Sequence, residues 1–147
     1  GVTVAGFGTL SANKLSGPHD VFIDSAMNII VADRNNLRIQ KFTPGAASGT
    51  TIAGGNSNGS ASNQFNAPVG VYLDKSNNVY VIEDFNCRLN KWAPGGTFGV
   101  TVAGGNGDGP AANQFSSPMG VFMDSSKNIY IADRNNSRNE SFAFVSI

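Results

Sequence analysis

His19 and Asp20 are adjacent, and His19 is the only histidine among the 147 residues. An imidazole beside a carboxylate is the arrangement of a general base or of a single metal ligand. The pair stands at the mouth of an apolar run, where the two matching positions downstream read Val69-Gly70 and Met119-Gly120. One histidine cannot build a three-histidine zinc site, and two chains together supply only two. Asp108 is the only acid in the two long Asn-, Gly- and Ser-rich loops, Gly54 to Ala67 and Gly104 to Ser117. A calcium loop needs several carboxylates at alternating positions, so one is too few. His19, Asp20 and Asp108 remain as candidates for a ligand face. Cys87 is the only cysteine, which excludes an intrachain disulfide and a thiolate metal cluster. No catalytic or metal cluster is visible, no cofactor is expected, and the chain reads as a non-enzyme.

Charged pairs recur. Asp33 with Arg38, Glu83 with Arg88 and Asp133 with Arg138 share one spacing. They could form a ring of ligand-binding charges, or a repeated charge-assisted hydrogen bond that fixes a loop. Occurrence in every unit favours the structural role, because a single site seldom needs identical parts in each repeat. Asn58, Asn135 and Asn139 begin Asn-x-Ser triplets, which are candidate glycosylation acceptors in a secreted chain. Lys plus Arg equal Asp plus Glu at 10 each, and only 14% of residues are charged. Zero net charge argues against a surface that tracks phosphates. No apolar run approaches the roughly 20 residues that span a membrane.

The elements that position these residues repeat with a period of about 50 residues, read directly from recurring landmarks. Pro18, Pro68 and Pro118 each precede an apolar run, and Asn28, Asn78 and Asn128 lead into a second one. The three units are approximately 1–48, 49–98 and 99–147, one continuous domain over 1–147. Each unit reads as four short strands. The first two are almost continuously apolar, as strands buried on both faces are. Asp24 to Asn28 and its two copies supply Asx chemistry for the turn between them. The third strand mixes polar and apolar positions, and the fourth, such as Val100-Thr101-Val102-Ala103, alternates. Apolar character falling from first strand to last is what a β-propeller blade requires, with its first strand at the axis and its last at the rim. The fold class is therefore all-β, with four-stranded antiparallel blades.

The stretch Val31-Ala32-Asp33-Arg34-Asn35-Asn36-Leu37-Arg38-Ile39-Gln40-Lys41-Phe42, with its lead-in at 21–24, resembles an NHL repeat. The copies at 71–92 and 121–142 match with less fidelity. The histidine of the family's eponymous motif is replaced by Leu37, Cys87 and Ser137. The resemblance implies a propeller, typically of six blades, and does not imply one function. It includes an amidating lyase with a zinc-bearing propeller, whose histidines this sequence lacks.

Three blades are too few to close. The chain is thus either half of a six-bladed ring or an excerpt of a longer propeller. It opens with a rim-type strand, Val2-Thr3-Val4-Ala5, and ends at a third-strand position, Glu140 to Val145. In a ring of two chains each N-terminal strand could complete the other chain's last blade. The end faces, lined by residues such as Val21, Ile23, Val121 and Met123, would otherwise stay exposed. The expected function is a non-catalytic interaction or assembly module, self-associating as a closed dimer or filament or binding a protein partner, and extracellular. The alternatives are a propeller lyase or hydrolase using His19 and a carboxylate, and an RNA-binding module using Arg34, Arg38, Arg134 and Arg138.

Overall fold

Each pair of apolar runs is turned back on itself by one aspartate. In the computed structural model, which describes residues 1–6, 14–46 and 48–143, Asp24 Oδ1 accepts the amides of Ala26 and Asn28, both at 2.9 Å. Its Oδ2 accepts the Asn28 side chain at 2.7 Å. Asp74 and Asp124 repeat this with Asn78 and Asn128. The turn forces a left-handed backbone on Met27, Asn77 and Lys127. The aspartate's hydrogen bonds hold non-glycine residues in a conformation that L residues seldom adopt.

The hairpins extend into three antiparallel sheets. The first runs in the order β1 (Pro18–Ile23), β2 (Ile29–Asp33), β3 (Arg38–Phe42), β4 (Thr50–Gly54). The second repeats it with β5 (Pro68–Leu73), β6 (Val79–Glu83), β7 (Arg88–Trp92) and β8 (Gly99–Gly104). Among the described residues the third has β9 (Pro118–Met123), β10 (Ile129–Asp133) and β11 (Arg138–Phe142). The inner strands β1, β5 and β9 lie beside one another, so the sheets radiate from a common side. Three blades form an open arc.

Alternation along each strand gives every sheet a forward face, toward the next sheet, and a backward face, toward the previous one. The forward face of the first sheet (Phe22, Ile30, Ala32, Ile39) packs on the backward face of the second (Val71, Leu73, Val79, Val81, Trp92). The forward face of the second (Tyr72, Tyr80, Ile82, Leu89) meets the backward face of the third (Val121, Met123, Ile129, Ile131, Phe142). Inner-strand aromatics link all three sheets. Phe22 and Tyr72 lie 5.0 Å apart, and Tyr72 and Phe122 lie 5.9 Å apart.

The expectation of strands buried on both faces holds for β5 and β6 and fails for β1 and β10. A blade is buried twice only when it has two neighbours. The backward face of the first sheet therefore leaves Val21 58% and Ile23 54% exposed. On the third sheet the expectation that Met123 is exposed is corrected, since it is 6% exposed. Met123 and half-buried Val121 point back at the second sheet, and Phe122 (60%) and Tyr130 (41%) face forward into the open. The expected strand Val2-Thr3-Val4-Ala5 is not formed in the single chain, where these residues pair with no other strand. Of the expected last strand, Glu140 to Val145, residues 140–142 lie in β11, which begins earlier at Arg138, and 144–147 lie outside the described residues.

Candidate functional sites: the blade loops, the mouth of the arc and the open faces

The charged pairs lie between the second and third strands. Asp33 is fully buried, and its Oδ2 accepts Arg38 Nε at 2.8 Å while its Oδ1 accepts the Ser16 amide at 2.7 Å. Asp133 repeats this with Arg138 Nε at 2.8 Å and the Ser116 amide at 2.7 Å. In the second sheet Glu83 Oε1 accepts Arg88 Nε at 2.6 Å and Asn90 Nδ2 at 2.9 Å. Burial pushes the Glu83 carboxyl up, while the Arg88 guanidinium pulls it back down. The other arginine nitrogens reach across to the long loops. Arg88 donates to the carbonyls of Ser60, Ala61 and Gln64. Arg138 donates to those of Pro110, Ala111 and Gln114. These arginines are clamps: a carboxylate holds one edge of the fork, and loop carbonyls take the others. That second half of their work leaves no mark in sequence spacing.

His19 and Asp20 do not pair with each other; they join sheets. Asp20 Oδ1 accepts its neighbour's amide, Val21, at 2.8 Å, and Oδ2 accepts the amide of Val71 in the next sheet at 2.9 Å. His19 Nδ1 lies 3.0 Å from the Val69 carbonyl oxygen, where the protonated tautomer donates. Both break the repeat, His19 where Val69 and Met119 stand and Asp20 where Gly70 and Gly120 leave no side chain. Gly70 sits against the next sheet's backbone at Met119 and Gly120, so a Cβ there would come within 3.0 Å of the Met119 carbonyl oxygen.

A cavity of about 420 Å³ opens at this end of the arc. Its walls come from the starts of the inner strands (Pro18, His19, Val69, Met119) and from the second-to-third-strand turns (Arg34, Asn35, Asp84, Arg134). Asp84 replaces arginine in the middle turn and accepts the Ser117 hydroxyl at 2.8 Å, and Arg34 lies over the exposed Phe85 ring at 5.6 Å. Asp108 lies elsewhere, on the exposed long loop, where it makes an isolated bridge with Phe115. The structure does not bring it to His19. No group of three or more metal-ligating side chains occurs among the described residues. Burial raises the Cys87 thiol, so it is not poised as a nucleophile. Asn58, Asn135 and Asn139 are all exposed. Asn58 and Asn135 are on loops, whereas Asn139 stands on β11 at the position of the fully buried Ile39 and Leu89.

Comparison with known proteins places this architecture. The NHL repeat model matches residues 15–42. No curated protein sequence matches the chain. A Bacteroides thetaiotaomicron protein of unknown function superposes with a TM-score of 0.74 at 21% identity, covering 92% of this chain and 37% of that one. An auxiliary nutrient binding protein from the same organism gives 0.67 at 17%, covering 82% and 36%. Virginiamycin B lyase from Staphylococcus aureus gives 0.53 at 14%, covering 90% and 43%. At these identities the likeness shows the fold alone, and these neighbours are β-propellers. The chain spans less than half the length of each.

Proposed function

We propose that this arc of NHL-type blades is a non-catalytic assembly module that builds a closed propeller with a second copy of itself. One observation carries the reading: the two open faces are the two halves of an interface the chain already makes twice. The forward face of the third sheet presents Phe122, Tyr130 and Ala132 where the first presents Phe22, Ile30 and Ala32 and the second presents Tyr72, Tyr80 and Ile82. The backward face of the first sheet leaves Val21 and Ile23 exposed where the second presents Val71 and Leu73, while Ile29 is half-buried and Val31 is already covered. Contiguous apolar faces of this kind are uncommon on monomers. Head-to-tail contact of two arcs covers both faces at once, giving twice three blades and a closed ring.

The enzymatic alternative would place its chemistry at the mouth, where His19 and Asp84 share a cavity with Arg34 and Arg134. The engagement of His19 Nδ1 and Asp20 Oδ2 in joining sheets, with Asp20 Oδ1 held by the Val21 amide, favours the assembly reading. The test is the mass of the 147-residue chain in solution by sedimentation. We expect a two-chain particle, and Phe122→Glu, which adds a charge to the forward face, should convert it to folded single chains. A wild-type chain that stays a folded monomer at tens of micromolar would overturn the reading.

A further inference from the structure

We infer that Asn106 is a site of spontaneous covalent modification: its side-chain amide is lost through ring closure with the Gly107 main-chain nitrogen, which converts residue 106 to aspartate or isoaspartate. The reaction takes place within one loop and needs no second copy of the chain.

The chemistry starts from a residue pair. In Asn-Gly the nitrogen that follows the asparagine is least obstructed, because glycine carries no Cβ. Once that nitrogen has given its proton to solvent, it attacks the Asn106 side-chain carbonyl carbon. A C–N bond forms, the bond from that carbon to Nδ2 breaks, and Nδ2 takes a proton from water and leaves as ammonia. Water then opens the five-membered imide at either of its carbonyls. Nothing is oxidised or reduced, and the sum is one water consumed for one ammonia released. Asn58-Gly59 and Asn106-Gly107 are the two Asn-Gly pairs of the chain, and Asp108-Gly109 can close the same ring with loss of water.

The fold treats these glycines differently, although the two long loops are copies of one another. Asn56 and Asn106 correspond, and their Nδ2 atoms donate across the loop to the carbonyls of Asn63 at 2.7 Å and Asn113 at 2.8 Å. Gly59 and Gly109 also correspond. Their amides donate to the Phe65 and Phe115 carbonyls, both at 3.2 Å, and a Cβ on either would collide with the side chain of Gln64 or Gln114. A nitrogen held in this way must break its hydrogen bond before it can lose its proton. Gly107 differs on both counts. Its amide has no hydrogen-bond partner among the described residues, and the nearest atom to a Cβ there, Gln114 Nε2, would stand 3.8 Å away. The first loop has Ser57 at this open position.

A second contact favours Asn106. Gln114 Nε2 donates to the Asn106 main-chain carbonyl at 2.9 Å. That oxygen belongs to the peptide group whose nitrogen is Gly107, so the donor stabilises the negative charge that spreads onto it when the proton leaves. In the first loop the Gln64 Nε2 donor goes to the Ser57 hydroxyl at 2.8 Å instead. Conversion also alters the loop. Asn106 Nδ2 serves the carbonyls of Gly104 at 3.2 Å and Asn113 at 2.8 Å. A carboxylate in its place only accepts, and would face two other acceptors.

The experiment holds the 147-residue chain at mildly alkaline pH and follows the mass of each peptide with time, once in native buffer and once in denaturant. In denaturant Asn58 and Asn106 should react at rates within about threefold of each other, since both precede glycine. In the folded protein Asn106 should react at least about tenfold faster than Asn58, the factor that one hydrogen bond contributes to a rate. Asn106→Asp should melt below the wild type, whereas Asn58→Asp, at a side chain with no hydrogen bond among the described residues, should melt with it. Equal rates at the two sites in the folded protein, or faster reaction at Asn58, would overturn the inference. So would a preference of the same size in denaturant, which would trace it to sequence and not to the fold.

Discussion

Glu83 and Asn90 in the middle sheet stand where the first sheet has Asp33 and Gln40, so one methylene has moved from one side chain to its neighbour. Glu83 is fully buried, and Arg88, the donor on its Oε1, has a side chain only 9% exposed. Glu83→Ala leaves four donors without their acceptor: Arg88 Nε, Asn90 Nδ2, Asn86 Nδ2 and the Asn66 amide. Breaking a buried ion pair in this way costs about 3–5 kcal/mol. At about 2.1 cal/mol/K per residue, unfolding the chain carries an entropy near 0.3 kcal/mol/K, so Tm should fall by about 10–16 °C. Asp133→Ala should cost less, about 1–2 kcal/mol, because Arg138 is 28% exposed and keeps Glu140 as a partner. The sharper test is the exchange itself. Glu83→Asp opens a gap and Asn90→Gln overfills the same space, each costing about 1–3 kcal/mol. The double variant restores the first sheet's pair of lengths and should recover to within about 1 kcal/mol of wild type. Calorimetry at one fixed protein concentration reads this out, since association shifts Tm. Additive losses in the double variant would refute the length-matching argument.

Two further outcomes follow from the turns. Gly104 has φ 68°, and a Cβ there would strike the Cys87 carbonyl oxygen and the Phe115 ring. Gly95 has φ 70° with nothing nearby. Gly104→Ala should therefore cost about 3 kcal/mol or more by chemical denaturation, and Gly95→Ala only about 1 kcal/mol of backbone strain. The Asn28 and Asn128 side chains hold the carboxyls of Asp24 and Asp124 below the ordinary aspartate value of 3.8. A carboxyl lowered on folding adds stability that is complete above its unfolded value and is lost as pH falls through the folded one. Tm should thus decline below about pH 4, and less steeply in Asn28→Ala and Asn128→Ala. Glu83, raised by burial, works in the opposite direction over neighbouring pH. The comparison between variant and wild type isolates the aspartates.

Periodicity carried most of the architecture because every blade solves the same problem with the same residues. The Asx turns are legible in Asp24 to Asn28, since an aspartate four residues before an asparagine has few other uses next to apolar runs. The left-handed backbone of Leu37 and Cys87 is not legible, because local preference opposes it and backbone hydrogen bonds to the turn before and the strand end beyond accompany it in the fold. Which of Phe122 and Met123 is buried depends on which side has a neighbour, and that is a property of the arc. His19 and Asp20 read as chemistry because they break the repeat. They break it because the first blade joins the second through polar side chains at positions where the later blades have Val69 or Met119 and then glycine.

Asn139 brings two readings of the sequence into conflict. It begins an Asn-x-Ser triplet, and its exposure in the single chain suits a glycan acceptor. Yet it occupies the forward face of the third sheet, where Ile39 and Leu89 are fully covered by the following blade. A second copy that covers Phe122 and Tyr130 covers Asn139 too, and no space for a sugar remains between close-packed blades. Asn58 and Asn135, on loops, could carry glycans on either particle. Asparagine also weakens this face relative to its isoleucine and leucine counterparts by removing apolar area from its outer half. What remains apolar is its inner half, Phe122, Tyr130 and Ala132.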